Sequence, residues 1–122
     1  MTEAAAGLDR HHASIAQARA TPIWPGERSA RVLAHRTMLV RCHAPCESDP
    51  QTRHGQDEIY VVASGRGTFF NNGARHQFQT GDVLSVPAGI GHRFENFTDD
   101  FAAWAVLQGP TGGEREASAA PR

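Results

Sequence analysis

From Ser29 onward the chain breaks into short stretches in which apolar and polar residues alternate, each closed by glycine, proline, asparagine or aspartate. "SARVLAHRTMLVRC" alternates imperfectly and contains no Gly or Pro, so it predicts one long strand or two short ones. After the polar connection "HAPCESDPQTRHGQ" come "EIYVVAS", "GTFFN" and "RHQFQ", the last two joined by "NNGA", whose Asn-Gly suits a hairpin turn. "DVLSVP", "HRFENF" and "FAAWAVLQ" complete the series, separated by "AGIG" and "TDD". That makes about seven or eight strands with no helical pattern between any two of them. A parallel sheet needs helical crossovers, so the pattern predicts an antiparallel sandwich or barrel.

Residues 1–28 read differently. "EAAAGLDRHHASIAQARA" is rich in helix formers but has only a thin apolar stripe, which predicts a short helix or a loose arm. "TPIWPGE" ends it with two prolines and offers Ile23 and Trp24 as an anchor. Residues 29–108 form the predicted β body. The stretch 109–122, "GPTGGEREASAAPR", has almost nothing to bury and is expected to be a disordered tail.

A chain of 122 residues is one domain with room for one core. All twelve basic residues are arginines, spread singly through a chain of net charge -1, which excludes the basic stripe that a nucleic-acid partner requires. No apolar run approaches the roughly 20 residues that span a bilayer, and the polar start "MTEAAAGLDRHH" is unlike a secretory leader, so a cytoplasmic protein without a membrane partner is expected. Cys42 and Cys46 are too few for a disulfide framework and lack the second pair of a structural zinc site.

Seven histidines are present. His11, His12, His35, His43 and His76 fall where an ordinary surface or strand-end residue would, whereas His54 and His92 stand in informative surroundings. On an extended strand His54 and Glu58 would have Cα atoms roughly 13 Å apart, too far for one ion with bonds near 2 Å. Gly55, Gln56 and Asp57 therefore have to bend the chain, with His54 closing one strand and Glu58 opening the next. His92 follows the turn Pro87-Ala88-Gly89 and starts a strand that can enter the same interior from the other side.

These segments resemble the two signature motifs of the cupins, small jelly-roll β-barrels. Gly81, Pro87, Gly89, His92 and Asn96 match every fixed position of the second motif, and His54, Glu58 and Gly65 keep the spacing of the first, whose leading histidine is Thr52 here. The resemblance spans about residues 30 to 108. It implies an all-β antiparallel jelly-roll barrel with His54, Glu58 and His92 as ligands of a divalent transition metal (Fe, Mn, Zn or Ni). Two imidazoles and a carboxylate are a donor set that leaves coordination positions open. Gln56 in the bend is a candidate fourth donor.

If Glu58 faces inward, alternation carries Tyr60, Val62 and Ser64 inward too, and His92 brings Phe94 and Asn96. Gln56, Tyr60 and Phe94 are the expected pocket residues. Arg36, Arg41 and Arg93 are candidate clamps for a carboxylate, with the strand patterns leaving open which one faces in. Nothing supports a hydrolytic triad or a phosphate loop. Two readings follow: a metal-dependent enzyme of dioxygenase, isomerase or lyase type acting on a small metabolite, or a non-catalytic small-molecule sensor. The resemblance also implies a homodimer, with "TPIWPGE" available to cross to the neighbour.

Overall fold

A computed structural model describes residues 8–50 and 52–114. The first element is a short helix, α1 (Ile15–Ala20), begun by a capping box in which the Ser14 hydroxyl accepts from Gln17 N–H while the Gln17 side chain accepts from Ser14 N–H. Eight strands follow: β1 (Ala30–His35), β2 (Met38–His43), β3 (Asp57–Ser64), β4 (Arg66–Asn71), β5 (Ala74–Gln79), β6 (Val83–Val86), β7 (His92–Glu95) and β8 (Ala102–Gln108). The stretch from Ser29 to Cys42 forms two strands, because Arg36 turns the chain in the left-handed region at φ 54°. The Asn72-Gly73 pair makes the β4–β5 hairpin, both residues at positive φ.

The strands form a five-stranded sheet, order β1-β2-β8-β3-β6, and a three-stranded sheet, order β5-β4-β7, with every pairing antiparallel. This is the jelly-roll arrangement. The inner faces meet in one core of Tyr60, Val62, Phe69, Phe78, Val86, Phe94, Phe101, Ala103 and Ala105. Phe94 is its hub, with ring centroids 4.7 Å from Phe101, 4.8 Å from Phe69 and 4.9 Å from Tyr60. Alternation along β8 turns Trp104 to the outer face of the larger sheet, where it packs with Ala18 of α1 and with Ala30, Val32 and Cys42. The helix thus covers one end of the barrel's outside.

Trp24 anchors the chain to the barrel as the sequence predicts, whereas the start of the stretch after Gln108 departs from expectation. "TPIWPGE" folds back on its own barrel: the Arg31 guanidinium stacks 3.9 Å over Trp24, and Glu27 pairs with Arg31 and Arg41. The start of the stretch expected to be disordered from 109 is held in place over 109–114. Gly112 N–H donates to Gly55 O at 2.6 Å, Glu114 N–H to an Asp57 carboxylate oxygen at 2.9 Å, and the Gln56 amide to Gly109 O at 2.8 Å. Backbone donors, not apolar burial, fix this segment, which is why composition does not announce it. The rest of the expected tail, 115–122, lies outside the described residues, as do the first seven positions of the expected arm.

Candidate metal centre

Glu58 is the second residue of β3 and pairs with Val86 on one side and Leu107 on the other, which places its carboxylate on the inner face of the larger sheet. His92 opens β7 in the smaller sheet, opposite Asn71. His54 belongs to no strand. It lies in the loop between an isolated bridge at Thr52 and the start of β3, where the Gly55–Gln56 bend swings it back toward Glu58. Two loops are locked together to hold it there: Gly89 N–H donates to His54 O at 2.8 Å, and Arg53 donates to Gly89 O at 2.7 Å. Gly89 sits at φ +81°, a conformation a side chain would resist.

The expected ligands converge. One ligand atom from each of His54, Glu58 and His92 lies within 4.8 Å of the others. Glu58 Oε1 is 3.3 Å from His92 Nε2 and 3.5 Å from His54 Nε2. Ligand atoms bound tetrahedrally at about 2.1 Å stand about 3.4 Å apart, so the two separations from Glu58 suit a shared ion. Glu58 Oε1 is buried and has no hydrogen-bond partner among the described residues, which fits a carboxylate oxygen that binds a cation.

Each imidazole is set up differently. His92 is 1% exposed, and its Nδ1 is 2.9 Å from Ile90 O. That contact assigns the proton to Nδ1 and leaves Nε2 with its lone pair aimed inward. The Tyr60 hydroxyl donates to this lone pair at 3.0 Å, and Thr52 Oγ1 stands 3.4 Å away. Thr52, at the position of the first motif's missing histidine, thus still faces the centre through its backbone bridge to His92. Burial pulls the His92 pKa down, but the Glu58 carboxylate, the Ile90 carbonyl and Asp49 outweigh it, and the net direction is up. His54, one-third exposed, is pushed down, by burial first and then by His92, against the opposing pull of Glu58. Burial, followed by the charge of Glu58, raises Tyr60 well above an ordinary phenol, keeping its proton on at neutral pH.

The centre opens into a cavity of about 240 Å³. His54, Glu58, Thr52 and Tyr60 line it together with Arg41, His43, Asp49 and the segment from Gly26 to Ser29. Of the expected pocket residues only Tyr60 lines it. Gln56 is corrected: its amide donates to Thr37 O and Gly109 O, so it clamps loops and is aimed away from the centre. Phe94 is corrected as well, being 1% exposed and packed behind Tyr60 as core.

Among the three arginines, Arg41 is the one in the cavity wall. Arg36 turns the β1–β2 hairpin, and Arg93 pairs with Glu95 at 2.8 Å. His43, read in the sequence as ordinary, is a wall residue too. The missed signal was alternation on β2: Cys42 pairs with outward Trp104, so Arg41 and His43, opposite Ala105 and Ala103, must face in.

A jelly roll carrying an inward His/Glu/His cluster defines a class of small barrel, and comparison with known proteins agrees. The cupin domain model matches residues 40–107, and the chain belongs to that family. It is 36% identical over 80 residues to an uncharacterized protein of Streptomyces coelicolor, covering 64% of this chain and 76% of that one. It is 34% identical over 62 residues to the HTH-type transcriptional activator RhaS of Mannheimia succiniciproducens, a match covering 51% of this chain and 23% of the activator. The crystal structure of a predicted oxalate decarboxylase from Thermotoga maritima superposes with a TM-score of 0.54 at 28% identity, covering 66% of this chain and 77% of that one. Among the described residues no helix is long and apolar enough to cross a membrane.

Proposed function

We propose that this cupin binds one divalent transition metal through His54 Nε2, Glu58 Oε1 and His92 Nε2, and that it acts as a metal-dependent enzyme on a small oxygenated metabolite held in the adjoining cavity. The observation that carries this reading is the buried, unpartnered Oε1 of Glu58 between two imidazole nitrogens. When bound, the ion supplies a Lewis acid with open positions for an oxygen ligand. The chain's own groups do the rest. Ile90 O fixes the His92 tautomer, the Asp57 carboxylate ties the motif loops by accepting from Ala88 N–H at 2.9 Å, and Arg41, with Arg28 and Arg53, lines the cavity.

A non-catalytic sensor is the second reading, favoured by the similarity to part of a transcriptional activator. The paired assembly stays within the proposal, supported by the edge strand β6, where Val83 stands 63% exposed. A monomer in sedimentation at micromolar concentration would remove it.

Elemental analysis of tag-free protein tests the metal, comparing wild type with His92→Ala. One ion per chain in the wild type and none in the variant supports the reading. A metal-free wild type that still binds a small molecule transfers the cavity to the sensor reading.

A further inference from the structure

The cavity beside the candidate metal centre is lined by a second pair of groups which that centre does not use. His43 ends β2 with its side chain 12% exposed, and its Nε2 is 3.1 Å from Asp49 Oδ1. Asp49 is 6% exposed at its side chain, and its other oxygen, Oδ2, accepts from Phe94 N–H at 2.8 Å. The imidazole is flanked by Tyr60 and Phe94, with ring centroids 6.0 and 5.5 Å away. Both His43 and Asp49 line the same cavity as His54 and Glu58.

The carboxylate is therefore fixed from behind by a backbone donor and presents one oxygen to one ring nitrogen. That arrangement puts the His43 proton on Nε2 and leaves the lone pair on Nδ1. No protein group among the described residues is hydrogen-bonded to Nδ1. A histidine can serve the fold through one ring nitrogen or through both. This one spends one nitrogen on a carboxylate and keeps the other free beside a cavity, the division of roles that an oriented general base requires.

We propose that His43, oriented by Asp49, is the proton-transfer group of the cavity, and that the molecule bound there is a small carbonyl compound with an acidic C–H. The proposal rests on the cavity being a small-molecule site, as argued above. Nδ1 takes the proton as the C–H bond breaks, and the electron pair stays on the molecule as an enolate. The imidazolium, stabilised by Asp49, returns the proton to the same or the neighbouring atom. Nothing is oxidised or reduced and no co-reactant is consumed. Outside the candidate metal ligands, the other charged wall groups are Arg28, Arg41 and Arg53, which can face the developing negative charge, and Glu27, which pairs with Arg41 at 3.2 Å.

The test combines exchange with spectroscopy on metal-loaded protein in D₂O. Pyruvate and dihydroxyacetone are the probes, and C–H loss is followed by proton NMR for wild type, His43→Asn, Asp49→Asn and Glu58→Gln. The ring-nitrogen shifts of His43 are read in ¹⁵N-histidine-labelled protein. Wild type should exchange at least one probe, with His43 in the Nε2–H form. His43→Asn should lower the exchange rate roughly 100-fold or more at unchanged metal content.

Asp49→Asn keeps an acceptor for Phe94 N–H, yet should lose both the tautomer preference and the exchange. Wild-type exchange in the His43 variant, a proton on Nδ1 in the wild type, or no exchange of either probe by the wild type would each overturn the proposal. Failure of the metal reading looks different: Glu58→Gln would keep its metal, or wild type would hold none.

Discussion

At the residue scale the decisive group is Glu58. A buried carboxylate oxygen without a hydrogen bond costs folding free energy that a bound cation recovers. In chelator at alkaline pH, where both imidazoles are neutral, Glu58→Gln should therefore unfold at higher urea than wild type, by about 1–2 kcal/mol. Lower stability of the variant would show that the carboxylate is already satisfied without metal. The imidazoles set the pH dependence. Because the His92 pKa is raised above its ordinary 6.5, protons begin to compete with the ion at a pH above that value. Metal affinity measured by calorimetric titration should fall steadily as pH is lowered through that range, and a flat profile would remove His92 from the ligand set.

Glu27 works in the opposite sense in the cavity wall. Its hydrogen bonds to Arg31, and next to Arg41, hold its pKa at about 2 from an ordinary 4.5. A depressed carboxylate contributes stability above its unfolded value, and that contribution disappears as pH falls from about 4.5 to about 2. Glu27→Gln should cost about 1 kcal/mol at pH 7, discounted for its partial exposure, and nothing measurable near pH 2 in urea unfolding.

At the scale of elements, the turns are as specific as the strands. Gly65, between β3 and β4, has φ +89°, and a Cβ there would meet the Cα of Phe101 at 2.7 Å. Gly65→Ala should cost about 3 kcal/mol by thermal or urea unfolding, whereas Gly26→Ala, with φ +81° and open space, should cost about 1 kcal/mol. Equal costs would contradict the close approach. Seven or eight strands were legible in the sequence because period-two alternation and Gly, Asn and Pro punctuation agree along 29–108, and only the turn at Arg36 decides that the first stretch is two. The capping box of Ser14 and Gln17 was equally legible and was overlooked. The docking of 109–114 was not legible, since backbone N–H groups that reach Gly55 and Asp57 leave no mark in side-chain pattern.

At the scale of the whole molecule, the barrel joins groups from both sheets and a loop at one point. His54, Glu58 and His92 could be named because the two segments that carry them resemble the cupin motifs. Arg41 stood open among three arginines and His43 and Asp49 were not reached, since what makes these three neighbours is the pairing of β2 with β8 and the place of Asp49 in the cavity wall. Gln56 and Phe94 were misplaced for the complementary reason: strand parity says which side a residue faces, but not whether core or loop claims it first.

The central claim is that three side chains share one ion. Anomalous diffraction from crystals grown with Mn²⁺ or Zn²⁺ reads it directly. The account predicts a single strong peak about 2.0–2.2 Å from His54 Nε2, His92 Nε2 and Glu58 Oε1. A cavity without a peak, or a peak held instead by His43 and Asp49, would contradict it.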